Sequence, residues 1–122
     1  SARGQDMQIE LARVYDETGG SSGYRVLVDR LWPRGVSKEA LRLDEWCKEI
    51  APSAELRKWF GHEPERWELF RLKYLSELKE QRELLKHLRA IAQKRSLILL
   101  YSAKDRDRNQ AVVIRDAILR MH

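Results

Sequence analysis

The sequence has almost no cysteine, and none of its apolar runs is long enough to cross a membrane. A single Cys47 among 122 residues excludes an intramolecular disulfide framework and a cysteine-based zinc cluster. No stretch approaches the roughly 20 consecutive apolar residues that a transmembrane helix needs, and nothing resembles a secretory signal. We therefore expect a protein of the reducing cytoplasm that has no membrane partner.

Sequence motifs for common cofactors and reactions are also missing. The three histidines are scattered without metal-ligand spacing, and the glycines form neither a phosphate-binding loop nor a dinucleotide fingerprint. The Gly-x-Ser-x-Gly elbow of serine hydrolases is absent, as are the aromatic RNA-binding signature and the GXXG loop. We expect no metal and no cofactor, and the composition alone indicates no reaction.

The remaining composition is that of one globular domain. Hydrophobic residues make up 43% of the chain and charged residues 35%, which fits a soluble protein with a single core. The polar segment Ser1 to Asp6, which precedes Met7, is either an expression scar or a disordered extension. We expect residues 7–122 to form the domain, whereas the sequence does not determine its oligomeric state.

The net charge of +5 is unevenly distributed along the chain. Acidic and basic residues balance as far as Tyr74, and the excess of basic residues comes after it. Much of that excess lies on one expected helix, at Arg82, Lys86, Arg89, Lys94 and Arg95. A solvated helix face is the favoured interpretation, and a patch that attracts nucleic acid is the alternative.

Apolar periodicity predicts a small single-domain α/β fold with a partly parallel central sheet flanked by helices. Strands are expected over residues 7–16, 24–29 and 96–102, the last of them central because residues 97–101 form the most apolar run. The segment 44–50 is ambiguous and weakly favours an edge strand. Helices are expected after the caps Ser37 and Ser53, from Pro64, over 81–94, and from Asn109 or Gln110 to Met121.

The segment 25–35 (RVLVDRLWPRG) is the most informative part of the chain. It begins as a buried strand and ends with Asp29, two arginines and a tryptophan around a proline and a glycine, where no regular element can continue. Open α/β sheets bind ligands at the carboxyl ends of their strands. A second polar strand end lies at residues 101–105, so we expect the two ends to converge on one crevice, together with the amino terminus of the last helix.

These residues suggest roles in binding a small anion. Asp29 would be an acid–base or orienting carboxylate, and His62 is a second catalytic candidate because histidine can transfer protons near neutral pH. The ligand-binding candidates are Arg30, Trp32, Arg34, Ser102, Lys104 and Asn109. The structural alternative is that Asp29 pairs with an arginine to hold the loop while Trp32 packs beneath it.

Other reactive or aromatic residues have more ordinary interpretations. His62, between Gly61 and Pro64, more often caps a helix or bonds a carbonyl than acts in catalysis. Cys47 is more often a small buried hydrophobe than a nucleophile. Trp59, like Trp32, lies beside polar motifs and could stack on a planar ring, but core packing is favoured.

Three motifs in order resemble a known family. They are residues 26–35 (VLVDRLWPRG), residues 51–62 (APSAELRKWFGH) and residues 99–111 (LLYSAKDRDRNQA). They resemble the YeaO-like branch of the domain-of-unknown-function 488 family over nearly the whole chain from Met7. The resemblance implies a cytoplasmic bacterial or archaeal α/β protein and no particular reaction.

Other branches of this family carry a Cys-x-Glu sequence after the last strand and a Cys-His-Arg sequence at the start of the last helix. This chain has Ser102-Ala103-Lys104 and Arg108-Asn109-Gln110 at those places. The resemblance therefore does not carry thiol or imidazole chemistry to these positions.

Three functional hypotheses follow from the sequence. The first is a protein that binds, and in its stronger form transforms, a small anionic or nucleotide-like ligand at the carboxyl ends of its strands. The second is a nucleic-acid-associated module that uses the basic C-terminal half without catalysis. The third is an interaction domain that pairs with itself or a partner through exposed aromatic residues.

Overall fold

The computed structural model describes residues 7–16 and 22–121. The expectations for Ser1 to Asp6, for most of the loop after Asp16 and for His122 lie outside these residues. The strands are β1 (Ile9–Arg13), β2 (Tyr24–Leu27), β3 (Glu45–Trp46) and β4 (Leu97–Tyr101). The helices are α1 (Lys38–Leu41), α2 (Ala54–Phe60), α3 (Trp67–Lys79), α4 (Arg82–Lys94) and α5 (Gln110–Leu119).

The four described strands form one sheet in the order β1-β4-β2-β3, and each neighbouring pair is parallel. The central position predicted for the most apolar strand is confirmed, since β4 pairs with β1 on one side and β2 on the other and is buried throughout. A parallel strand with neighbours on both sides is covered on both faces, which explains why β4 lacks polar alternation. The predicted α/β class is confirmed.

The two faces of the sheet are covered unequally. One face packs against α2, α3, α4 and α5, and it contributes alternate residues of β4 such as Leu97 and Leu99 to the main core. The other face contributes Ile98 and Leu100 to a smaller cluster, covered by α1 and by half-buried residues of the loops after β2. The connection between β2 and β3 covers this second face only thinly, because its helix α1 has a single turn.

The segment that was ambiguous in the sequence divides into two elements. Its first part is the predicted edge strand, because Glu45 and Trp46 pair with Val26 and Leu27 at the end of β2. The strand is shorter than predicted, since residues 48–50 form a 3-10 turn instead. That turn buries Ile50 completely, and the carbonyl of Ile50 accepts a hydrogen bond from the buried hydroxyl of Tyr74 on α3.

Ser53 joins α2 to α3 and confirms the predicted cap. Its hydroxyl oxygen accepts a hydrogen bond from the Leu56 amide at 3.1 Å, and its own hydroxyl donates to Glu77 on α3 at 2.6 Å. The backbone amide of Ser53 donates to the same carboxylate at 2.9 Å. Gly61 ends α2 with a φ of 52°, the left-handed conformation that glycine adopts without strain.

Replacing Ser53 with alanine should lower the free energy of unfolding by about 1 kcal/mol, because α2 loses its cap and Glu77 on α3 loses the hydrogen bond from the Ser53 hydroxyl. Ser37 offers a matched control, since it caps the single-turn helix α1 in the same way through the Ala40 amide. Ser37→Ala should change the unfolding free energy by less than about 0.5 kcal/mol, as for an exposed substitution away from packed structure. Urea denaturation measures both, and equal losses would contradict the role given to the Ser53–Glu77 contact.

Candidate functional site

The carboxyl ends of β2 and β4 meet at one edge of the sheet, as predicted. The Val28 amide donates to the Leu100 carbonyl at 3.0 Å, so the two strands remain paired to the point where the polar loops begin. A crevice of about 720 Å³ opens there between residues 29–34 and residues 102–105. Its size lies within the range of small-molecule binding sites.

Asp29 lies at the base of this crevice, and its hydrogen bonds connect the end of β2 with the end of β4 and the start of α5. The side-chain amide of Gln110, at the start of α5, donates to its carboxylate at 2.5 Å, and Ser102 hydrogen-bonds to the same carboxylate through its side chain and its backbone. Only 8% of Asp29 is exposed. Burial raises the pKa of Asp29, while the hydrogen bonds from Ser102 and Gln110 and the charge of Arg57 act in the opposite direction.

Arg30 and Trp32 line the crevice, but their polar groups also hold the loop in place. The Arg30 guanidinium donates to the carbonyls of Ala51 at 3.0 Å and Pro52 at 3.4 Å. The Trp32 indole donates to the Val36 carbonyl at 2.7 Å, and its ring packs edge-on against Trp46 at 5.3 Å. Trp46 in turn donates to the Asp29 carbonyl at 2.7 Å. Packing and hydrogen bonds of Arg30 and Trp32 therefore hold much of this loop, whereas the carboxylate of Asp29 bonds to Gln110 and not to an arginine as the structural alternative expected.

Arg34 and Lys104 are exposed side chains on opposite loops of the crevice. Arg57, on the last turn of α2, is a third exposed cation on its lining. Among the described residues, none of these three cations forms a salt bridge with a carboxylate. Sequence reasoning did not assign Arg57 or Gln110 to the site, although both stand within the motifs that carry the family resemblance.

His62 and Asn109 occupy different positions relative to the crevice. His62 lines it and has a φ of 58°, so its backbone is held in the left-handed region. Asn109 is 2% exposed and caps α5, with its side-chain oxygen accepting from the Val112 amide at 3.2 Å. Its side-chain amide donates to the Asp105 carbonyl at 2.9 Å. A hydrogen bond from Asn109 to a ligand would compete with this contact.

The outer strand β1 is connected to both loops of the crevice. The Tyr15 hydroxyl, just beyond β1, donates to the Arg34 carbonyl at 3.0 Å. Arg13 donates to the Ala103 carbonyl at 2.8 Å, and Asp16 forms an ion pair with Arg106. Within the second loop, Asp105 accepts the backbone amides of Asp107 and Arg108, and the Asp107 hydrogen bond is the main reason that the pKa of Asp105 is lowered.

The other candidates lie away from this edge of the sheet. Cys47 is buried, and burial raises the pKa of its thiol to about 11, so the thiolate that a nucleophile requires is scarce at neutral pH. Trp59 is covered by the cationic groups of Arg66 and Lys73, at 5.5 and 5.3 Å from its ring centre. His87 contacts Glu45 at 2.8 Å.

The basic residues of α4 are partly engaged with neighbouring side chains. Lys86 forms a salt bridge with Glu83 at 3.5 Å, and the guanidinium of Arg95, which follows the helix, lies over the Tyr24 ring at 5.7 Å. In the part of the chain that the structure describes, no group of histidine, cysteine and carboxylate side chains is arranged to hold a metal ion. No helix of residues 7–16 and 22–121 has the length and apolar character of a membrane span.

The fold and the edge of the sheet define a small parallel α/β domain with a cation-lined crevice at its strand ends. Residues 8–122 match the family described as the inactive DUF488-N3 subclade, and the chain belongs to this family.

Two curated relatives show how far the similarity extends. The uncharacterised protein YeaO of Escherichia coli strain K12 is 53% identical over 110 residues, which cover 90% of this chain and 96% of YeaO. The uncharacterised protein Rv3073c of Mycobacterium tuberculosis strain H37Rv is 46% identical over 74 residues, covering 61% of this chain and 63% of that protein. No solved structure matches the chain.

Proposed function

We propose that this protein binds a small anionic ligand in the strand-end crevice and that binding, rather than catalysis, is its function. The observation that carries the proposal is the set of Arg34, Arg57 and Lys104. These three exposed cations come from different segments of the chain and line one crevice. Guanidinium and ammonium groups bind carboxylates and phosphates through charge-assisted hydrogen bonds.

The arrangement around Asp29 supports binding without catalysis. Its carboxylate accepts a hydrogen bond from Gln110 and is also bonded by Ser102, so these contacts fix its orientation between the two strand ends and α5. A general base has to approach the substrate proton, whereas the contacts of Asp29 hold it against the protein. The description of the family as an inactive subclade agrees with this assignment. Asp29 is then an orienting group that fixes the two strand ends and α5.

The amino terminus of α5 adds to the positive potential of the crevice. Gln110, the first residue of α5, lines the crevice and contacts Asp29. Helix amino termini carry partial positive charge and favour anions nearby. A cytoplasmic location is also part of the proposal, because a single buried thiol is typical of proteins in reducing compartments.

Binding of inorganic pyrophosphate tests the proposal with the simplest anion that carries several charges. Addition of pyrophosphate at constant ionic strength should shift the backbone amide signals of Ser102, Lys104 and Gln110 in nitrogen–proton correlation spectra. Replacing Arg57 with alanine should weaken this binding about tenfold, the typical effect of losing one charge-assisted hydrogen bond. We expect Lys104→Ala to have a similar effect.

Lys86→Ala is the matched control, because it removes the same charge from the exposed face of α4. It should leave pyrophosphate affinity within about twofold, since the screened interaction of a distant surface charge is weak. If Lys86→Ala weakens binding as much as Arg57→Ala, the interaction is with the overall charge and the proposal fails. Absence of any saturable shift in these amides would also overturn it.

A further inference from the structure

A second cavity of about 260 Å³ adjoins the strand-end crevice. It lies between the end of α2, the first turn of α3 and the start of α5. We call it the phenylalanine chamber because Phe60 and Phe70 form its apolar floor. Arg57, His62 and Gln110 line both this chamber and the crevice, so the two spaces are adjacent.

The floor of the chamber is aromatic. The rings of Phe60 and Phe70 are stacked, with centroids 4.4 Å apart and planes inclined by 21°. His62 and Trp67 each lie with their ring centres 6.0 Å from that of Phe60. An apolar planar group placed there would displace water from carbon surface and would make the offset or tilted ring contacts that aromatic groups prefer.

The chamber offers few hydrogen-bond acceptors to a polar ring. Both ends of the Asn109 side-chain amide are occupied within the fold, and the Gln110 amide donates to Asp29. The remaining polar groups on its lining are mainly cations, at Arg57, Lys58 and Arg108. A ring with N–H donors at its edge, such as the amino group of adenine, would leave those donors without acceptors, whereas an apolar ring would not.

The volume is adequate for such a ring. An apolar cavity of about 150 Å³ is known to hold benzene, so a chamber of 260 Å³ has room for one aryl ring and its substituent. Arg57 lines both spaces and so marks the boundary with the crevice, where the charged group of the same ligand would lie.

We infer that the ligand of the crevice is an anion carrying an apolar aryl ring, with the ring in the phenylalanine chamber and the charged group among Arg34, Arg57 and Lys104. This inference rests on the proposed function and narrows it to aryl phosphates or aryl carboxylates. It makes a nucleotide the less suitable ligand.

The two phenylalanines of the chain make a direct test available, since Phe60 and Phe70 are the sole phenylalanines in the sequence. Protein labelled with carbon-13 in its phenylalanine rings, in a deuterated background, reports on the chamber alone. Phenyl phosphate should shift both ring signals and give nuclear Overhauser contacts from its ring protons to them. Inorganic phosphate should shift the Ser102 and Lys104 amides without these contacts.

The binding affinities of phosphate, phenyl phosphate and adenosine monophosphate provide a second test. Phenyl phosphate should bind about tenfold more tightly than inorganic phosphate, as expected when part of an aryl ring leaves water. Adenosine monophosphate should bind less tightly than phenyl phosphate. The Phe60→Leu variant should keep phosphate binding and lose most of the aryl preference, and the contacts in the wild-type protein decide the question should this variant fail to fold.

The possible failures can be distinguished from one another. Phosphate binding with no contact between phenyl phosphate and the labelled rings would overturn this inference and leave the proposed function intact. Adenosine monophosphate that binds as tightly as phenyl phosphate, with the same ring contacts, would overturn the restriction to apolar rings and hence the inference. If neither phosphate nor phenyl phosphate binds, the proposed function and this inference both fall.

Discussion

Replacing Asp29 with alanine should lower the free energy of unfolding by about 2 kcal/mol, because the hydrogen bonds that join its carboxylate to the half-buried Gln110 and Ser102 would be lost. Gln110 would lose its 2.5 Å acceptor, and Ser102 would lose the acceptor of its side chain and backbone. The variant no longer buries a carboxylate charge, and this offsets part of the loss. The decrease in unfolding free energy is therefore smaller than the summed energies of the lost hydrogen bonds. Urea denaturation at neutral pH measures the change.

The pH dependence of stability distinguishes the contribution of the Asp29 charge from that of its packing. Burial raises the pKa of Asp29 above 3.8, so the folded protein holds a proton there more tightly than the unfolded chain. The contribution of this group to stability is therefore fully present below 3.8 and is lost as the pH rises through the folded-state pKa.

Asp29→Asn removes that titration at nearly constant volume. The stability difference between the wild-type protein and this variant should favour the wild type most at acid pH and should shrink as the pH approaches neutrality. Urea denaturation repeated from pH 3 to pH 7 would follow it. A difference that grows with pH would mean that the hydrogen bonds from Ser102 and Gln110 outweigh burial and that the pKa is lowered.

Tyr74→Phe should lower the free energy of unfolding by about 2 kcal/mol, because it leaves a buried carbonyl without its donor. The Tyr74 hydroxyl donates to the Ile50 carbonyl at 2.5 Å, and both residues are fully buried. The next carbonyl, of Ala51, accepts from Arg30. Loss of the Tyr74 hydroxyl should therefore loosen the turn that leads into Ala51 and Pro52, which line the crevice.

Tyr15→Phe is the control for this change. The Tyr15 hydroxyl also donates to a backbone carbonyl, that of Arg34, but the residue is 46% exposed. Water can replace the lost donor there, so the loss should stay below about 0.5 kcal/mol. Thermal or urea unfolding of the two variants side by side measures the difference. Losses of similar size would show that burial does not determine the strength of the Tyr74 contact.

Local features of the fold were predictable because they depend on neighbouring residues. The apolar run of β4, the caps Ser37 and Ser53 and the left-handed Gly61 each act within a few residues, and all are confirmed. Convergence of the ends of β2 and β4 also followed from the sequence, because polar loops after parallel strands meet at the same edge. The order of the strands was not predictable, since periodicity gives the buried face of a strand and not its neighbours.

The composition of the crevice was only partly predictable for the same reason. Asp29, Arg34 and Lys104 lie in the loops that follow β2 and β4, so their place could be inferred. Arg57 reaches the crevice from the far end of a helix, and its position depends on how α2 packs on the sheet. The type of a residue does not indicate which side chain its backbone carbonyl will bond. The hydrogen bonds from Arg30 to the carbonyls of Ala51 and Pro52 were therefore not predicted.

The contacts of β1 give the edge of the sheet a part in shaping the crevice. Tyr15 holds the Arg34 loop, while Arg13 and Asp16 hold the loop that begins at Ala103. Both walls are thus attached to the end of β1 and to the residues just after it, which supply none of the three cations proposed to bind the anion. Under the proposed function, a shift of this segment would change the width of the binding site from both sides together.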